Sequence, residues 1–133
     1  MVGYSLGGAV AIDLSAKISS KALVLLNPLD SLELMLKDCC VLSGWASGNL
    51  YSADHFNAAA SLSSFRGCLL HFASEEDVII PFDRQQKVFY EDAANKMENC
   101  SIFVAAKCAD HNADEWEQKF FVQSANEFFQ SIH

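Results

Sequence analysis

The sequence predicts an α/β fold, an open parallel sheet of about four strands with helices on both faces. Three observations carry this. Strand-sized apolar runs recur along the chain, and the stretches between them have helical spacing. The resulting order is β-α-β-α-β-α-β-α, the alternation that builds a parallel sheet through crossover helices. A glycine-rich strand-to-helix turn, Gly3-Tyr4-Ser5-Leu6-Gly7-Gly8, opens the chain.

Residues 1–4 read as the end of a strand running into that turn. From Leu6 to about Ile18 the spacing is helical: Val10, Leu14 and Ile18 fall at steps of four, while Gly7, Gly8, Ala9 and Ala11 keep one side thin enough to lie close on a sheet. Lys17 and Lys21 sit near its C-terminal end, where cations suit the helix dipole. Its N-terminal end lies beside Ser5, with unpaired N–H groups aimed where an oxyanion would form. Ala22 to Leu26 is a continuous apolar run, as a strand covered on both faces requires, and Asn27-Pro28 ends it.

Residues 29–66 are the least regular stretch. They suggest a helix over Leu32 to Val41 with Leu32, Met35 and Leu36 inward, a loop from Ser43 to Asn49, and a short helix over Asp54 to Leu62. Cys68 to Phe72 is the next strand, leading into the acidic turn Ser74-Glu75-Glu76-Asp77 and then Val78-Ile79-Ile80-Pro81. Phe82 to about Met97 reads as a helix with Val88, Phe89, Ala93 and Met97 inward. Ser101 to Ala106 is the fourth strand, followed by the loop Lys107 to Asn112. The last helix, about Ala113 to Ile132, carries Trp116, Phe120, Phe121, Phe128 and Phe129 for core packing. Asp114, Glu115 and Glu117 stand at its dipole-favoured end.

Composition narrows the function classes. The 133 residues, 51% hydrophobic and 20% charged, suit one globular domain. A net charge of -8 argues against nucleic acid and anionic membrane surfaces as partners. No apolar run approaches the ~18 residues of a membrane span. Cys39, Cys40, Cys68, Cys100 and Cys108 are odd in number and lack zinc-type spacing, so reduced thiols in a cytoplasmic setting are expected. No metal and no cofactor are expected, since no His/Cys/Asp cluster has ligand spacing.

The chemistry-bearing residues follow from the topology. In open parallel sheets the working groups gather at the carboxyl ends of the strands. Ser5, Asp77 and His111 each follow a different strand at that end. Gly3-Tyr4-Ser5-Leu6-Gly7 is G-x-S-x-G, a turn that lifts a serine hydroxyl out of the backbone, and side chains at its two glycines would collide in so tight a bend. Asp30 also follows a strand and is a rival for the acid. His71 lies inside an apolar strand, His55 in the irregular stretch and His133 at the terminus, so each suits a catalytic role less well. Glu75 and Glu76 are expected to be solvated.

On Gly3 to Gly8, the turn Glu75 to Pro81 and the loop histidine His111, in that order, the chain resembles the alpha/beta-hydrolase family. The likeness is to its small-cap members of the serine-aminopeptidase-like and acyl-thioesterase-like kind. It covers the C-terminal half of that fold, so residues 1–133 are expected to form a single partial domain with residues 29–66 as a short cap-like insertion. His111 departs from the family's glycine-flanked histidine, with Ala109-Asp110 in front. The resemblance implies a serine hydrolase of esters, thioesters or amides acting on a small acyl or peptide-like substrate. Ser5 would be nucleophile, His111 base, Asp77 its orienting acid, and the Leu6 backbone N–H an oxyanion donor. The family's earlier strands, and the loop that supplies its second oxyanion N–H, lie outside this sequence, as would any targeting signal. One lost donor typically costs ~10²–10³ in rate, so this chain alone is expected to be weak or inactive. The rival reading is a catalytically dead remnant that serves as a binding or interaction module. A nucleotide-binding domain is a distant third, since Gly3 to Gly8 fits neither phosphate-binding glycine pattern.

Overall fold

The computed structural model describes residues 1–31, 58–93, 100–107, 110–112 and 119–132. The strands are β1 (Val2–Tyr4), β2 (Ala22–Leu26), β3 (Cys68–Ser74) and β4 (Ile102–Ala106). The helices are α1 (Leu6–Lys17), α2 (Ala58–Leu62), α3 (Phe82–Lys87) and α4 (Lys119–Ser131). All strand pairs are parallel and the sheet order is β1-β2-β3-β4. The helix expected from Phe82 widens into a π-helical segment over Val88–Ala93. The expected helix over Leu32 to Val41, the loop after it, the first part of the Asp54 helix and the residues 113–118 lie outside the described residues.

Because strand order equals chain order, every crossover steps to the same side. Right-handed crossovers then place their helices on one face each time. Accordingly α1, α2 and the segment following α3 share a face, where Ile12, Leu23, Leu25, Leu62, Leu69 and Phe89 form one core. α4 is not a crossover and is free of this constraint. It covers the opposite face, with Phe128 buried against Val24, Leu26, Leu70 and Phe72. Its inward stripe, Phe121, Ala125, Phe128 and Ile132, has helical spacing, and Phe129 is left exposed. The apolar run of β2 is thus divided by the pleat, residues 23 and 25 to one face, 24 and 26 to the other. Each such leucine, fully buried, is worth roughly 1.5–3 kcal/mol.

α1 lays its side of small residues on the sheet, as expected, except that Gly7 is exposed. Val10, Leu14 and Ile18 face outward with Leu6, while Gly8, Ala9, Ala11, Ile12 and Ser15 are buried. Distance is the reason. A helix that begins two residues after a strand ends must lie close on that strand, and only small side chains fit beneath it. The larger apolar residues are left on its outer side, near the edge strand β1, where Val2 is also exposed.

β3 carries a histidine that is wholly buried, His71, between Phe89 and Phe103 with ring centroids 6.0 and 5.2 Å away. Neither ring nitrogen has a hydrogen-bond partner. Burial pushes its pKa from 6.5 down to about 3; Gln85 pulls the other way, though it does not meet the ring at hydrogen-bond geometry. Between those two pH values the unfolded chain holds a proton that the folded chain refuses. The contribution to stability is therefore complete above pH 6.5 and is lost as pH falls toward 3. At ~1.4 kcal/mol per unit this is of order 5 kcal/mol. His71→Leu is expected to flatten the fall in urea-unfolding free energy between pH 7 and 4; an unchanged slope would exclude His71 as its source.

Cys68 and Cys100 are joined in a disulfide, which overturns the expectation of reduced thiols for this pair. Register explains it. Leu70 lies opposite Ile102, so two residues upstream the cysteines face each other, with Cα atoms 5.1 Å apart. A sequence separation of 32 gives no local spacing signal for such a pair. Cys39, Cys40 and Cys108 lie outside the described residues. Closing a loop of that length removes about 3–4 kcal/mol of chain entropy from the unfolded state. Reduction is expected to lower the thermal midpoint by roughly 10 °C, measured by melting with and without reductant. Among the described residues, no helix is long and apolar enough to cross a membrane.

Candidate active site

Ser5 stands between β1 and α1 with φ 51° and ψ -124°, a conformation that non-glycine residues rarely adopt. Such strain costs of order 1–3 kcal/mol and must be held by the surroundings. Three backbone hydrogen bonds hold it: Ser5 N–H donates to Leu26 C=O, and Ser5 C=O accepts from the N–H groups of Gly8 and Leu29. Gly3 permits the close approach, since a Cβ there would lie 2.6 Å from Gly7 O and 2.7 Å from Gly8 Cα. The expectation that both motif glycines are sterically required fails for Gly7, where a Cβ would meet nothing within 4 Å. Gly8 takes that part instead, its Cβ position lying 2.7 Å from Pro28 Cβ. Gly7 points outward from α1, whereas Gly8 faces the loop after β2. Leu6 opens the helix, so its N–H belongs to the first turn, which has no intrahelical acceptor.

Asp77 and His111 meet Ser5 across the carboxyl ends of the strands. His111 Nε2 lies 2.9 Å from Ser5 Oγ, and His111 Nδ1 lies 2.7 Å from Asp77 Oδ2. Asp77 and His111 are both buried. The other carboxylate oxygen of Asp77 accepts from the N–H groups of Ile79 and Ile80, each at 2.8 Å. Gln85 Nε2 donates to Asp77 Oδ2 at 3.3 Å and to Ile80 C=O at 3.0 Å. A carboxylate so surrounded by donors is an acceptor toward His111, which puts the imidazole proton on Nδ1. Nε2 of the neutral ring is then the acceptor for the Ser5 hydroxyl proton. In chemical terms this is a hydroxyl with a base at hydrogen-bond distance, and the base oriented by a third group.

The loop bearing His111 is tied to the sheet through its main chain as well. His111 C=O accepts from Tyr4 Oη at 2.7 Å and from Asn27 Nδ2 at 3.3 Å. Tyr4 Oη also lies 2.9 Å from Asn112 Oδ1, and its ring is 5.4 Å from that of His111. Burial, and after it the negative charges of Asp77 and Asp110, raises the Tyr4 phenol above its ordinary value.

Asp30 is engaged elsewhere. Its Oδ2 is 3.6 Å from Arg84 Nε and its Oδ1 accepts from Ser31 N–H, while both ring nitrogens of His111 are occupied by Asp77 and Ser5. Glu75 and Glu76 are exposed. His55 and His133 lie outside the described residues. Gln85, Asn27 and the Tyr4 hydroxyl carry no sequence signal of their own: each earns its place by a contact with a residue at least eight positions away. Among the described residues, no group of three or more His, Cys, Asp or Glu could hold a metal ion.

No protein-family model matches this sequence, and no curated protein matches it. Solved structures are similar in fold. The chain superposes on an esterase of Pyrococcus furiosus with a TM-score of 0.73 at 17% identity, covering 98% of this chain and 52% of that one. For Est1E of Butyrivibrio proteoclasticus the TM-score is 0.75 at 15% identity, covering 99% and 60%. A monoacylglycerol lipase of Paleococcus ferrophilus gives 0.64 at 15%, covering 97% and 67%. The chain therefore has the alpha/beta-hydrolase fold in part, spanning between half and two thirds of the length of these structures.

Proposed function

We propose that this portion of an alpha/beta-hydrolase fold carries the catalytic triad of a serine hydrolase. It would act on the ester, thioester or amide bond of a small acyl or peptide-like substrate. One observation carries the reading: an unbroken line of hydrogen bonds from Ser5 Oγ through both nitrogens of His111 to Asp77 Oδ2. In the proposed reaction Ser5 Oγ attacks the carbonyl carbon as His111 Nε2 takes its proton. Asp77 holds the ring in the Nδ1–H form and stabilises the imidazolium. The Leu6 N–H, beside a helix N-terminus, would donate to the oxyanion of the tetrahedral intermediate. His111 then protonates the leaving group, leaving an acyl-Ser5 ester that water hydrolyses by the same proton path in reverse. No cofactor enters the scheme. Residues 1–133 would act as a single partial domain, with residues 29–66 as a short cap-like insertion.

A fluorophosphonate probe tests the reading without requiring turnover. The expected result is one covalent adduct on the wild-type chain, mapped to Ser5 by peptide mass spectrometry and absent from Ser5→Ala. A wild-type chain that melts cooperatively yet takes no probe would sink the enzyme reading and favour a binding module on the same fold.

A further inference from the structure

We propose that Tyr4 and Asn27 together are positioning residues for His111, acting on its main-chain carbonyl rather than on its ring. The inference rests on the hydrolase reading above. A base in this role has its ring contacts remade in every turnover. Nε2 loses the Ser5 hydroxyl once the acyl group is attached and must then hold a water instead. The two hydrogen bonds to the His111 carbonyl involve no atom that reacts, so they persist through the cycle and hold the pivot about which the imidazole turns.

Both donors are themselves fixed. Tyr4 is the last residue of β1 and immediately precedes Ser5, so one side chain couples the nucleophile's strand to the loop of its base. A phenol has a single proton, and the 2.7 Å contact to His111 C=O is shorter than the 2.9 Å contact to Asn112 Oδ1. The raised phenol pKa keeps that proton in place through the neutral range. Asn27 is wholly buried at the end of β2, with φ 42°, a region asparagine tolerates better than most residues. Its Oδ1 accepts from Ser74 N–H at 2.8 Å, and Nδ2 donates to Ser74 Oγ at 2.9 Å as well as to His111 C=O. The amide orientation is thus set by β3, and the remaining donor direction points at the histidine loop. Strands β1, β2 and β3 are all joined to one residue, since Asp77 follows β3 and holds the ring. A displacement near 1 Å at a reacting group costs about 10² in rate.

Two substitutions separate positioning from packing. Tyr4→Phe removes only the hydroxyl. Asn27→Asp keeps the shape and the acceptor for Ser74 N–H, and Ser74 Oγ–H can turn to donate to the second oxygen. What it removes is the bond to His111, where oxygen would now face oxygen. Each variant is expected to slow fluorophosphonate labelling of Ser5 about tenfold, and the pair about a hundredfold. In hydrolysis the loss is expected in kcat, with KM unchanged. The ring ¹⁵N and ¹H shifts of His111, which report its two ring hydrogen bonds without any turnover, are expected to move in both variants. The Tyr4→Phe melting midpoint should stay near wild type, and Tyr4→Phe carries the test if the new carboxylate of Asn27→Asp prevents folding. Wild-type labelling rates together with unmoved His111 shifts would overturn the proposal. If the wild-type chain takes no probe, the enzyme reading falls and the His111 shifts alone decide whether the tether positions the ring.

Discussion

Asp77→Asn is expected to lower the rate at which Ser5 is acylated by about 10⁴, with little change in substrate affinity. The size of the effect follows from the two hydrogen bonds on the far oxygen of Asp77. The N–H groups of Ile79 and Ile80 both donate to Oδ1. In the amide they would retain the carbonyl oxygen at that place and turn the NH₂ group toward His111. Facing a donor, Nδ1 must become the acceptor, so the proton moves to Nε2 and the ring can no longer take one from Ser5. Asp30→Asn is the control. Its carboxylate pairs with Arg84 at 3.6 Å and does not reach the imidazole, so its loss should leave the rate near wild type. Labelling rates and steady-state kinetics on the two variants decide the matter; the opposite ranking would transfer the acid's role to Asp30.

Gly3→Val is expected to destabilise the fold by at least ~3–4 kcal/mol, enough to leave much of the chain unfolded. The first added carbon would sit 2.6 Å from Gly7 O and 2.7 Å from both Gly8 Cα and Ala11 Cβ. Two of those three atoms are backbone of α1, so the contact cannot be relieved by a rotamer change. The helix would have to lift from β1, taking the strained Ser5 turn with it. Gly7→Ala should do the reverse. Its Cβ meets nothing within 4 Å, its φ is not in the left-handed region, and it lies within a helix, where alanine is favoured over glycine by roughly 0.5–1 kcal/mol. Urea unfolding of the two variants distinguishes the glycine that the turn requires from the one that only completes the motif. Equal destabilisation by both would remove the account of why α1 lies so close on β1.

The same contrast separates what the chain states locally from what it leaves to packing. Ala22 to Leu26 announces a doubly buried strand because a parallel strand has no polar face to show, and the strand was found over those same residues. Ser5, Asp77 and His111 are each legible as loop residues just beyond a strand, since their neighbours carry the periodicities that end there. The side of α1 that lies on the sheet was legible from its small residues Gly8, Ala9 and Ala11, but the outward place of Gly7 was not. Steps of four in Val10, Leu14 and Ile18 mark the helix, and the tight link through Ser5 leaves room beneath it only for small side chains. The pairing of Cys68 with Cys100, and the placing of Asn27 and Tyr4 on the carbonyl of His111, depend on register between strands that are far apart in sequence. Among the described residues, local sequence thus determined where the four strands fall and the order of the candidate residues, because periodicity and turn chemistry act over a few residues. Which atoms touch was decided by the tertiary structure alone. A hydrogen bond depends on ångström distances between distant segments, and those are set only when both faces of the sheet are packed.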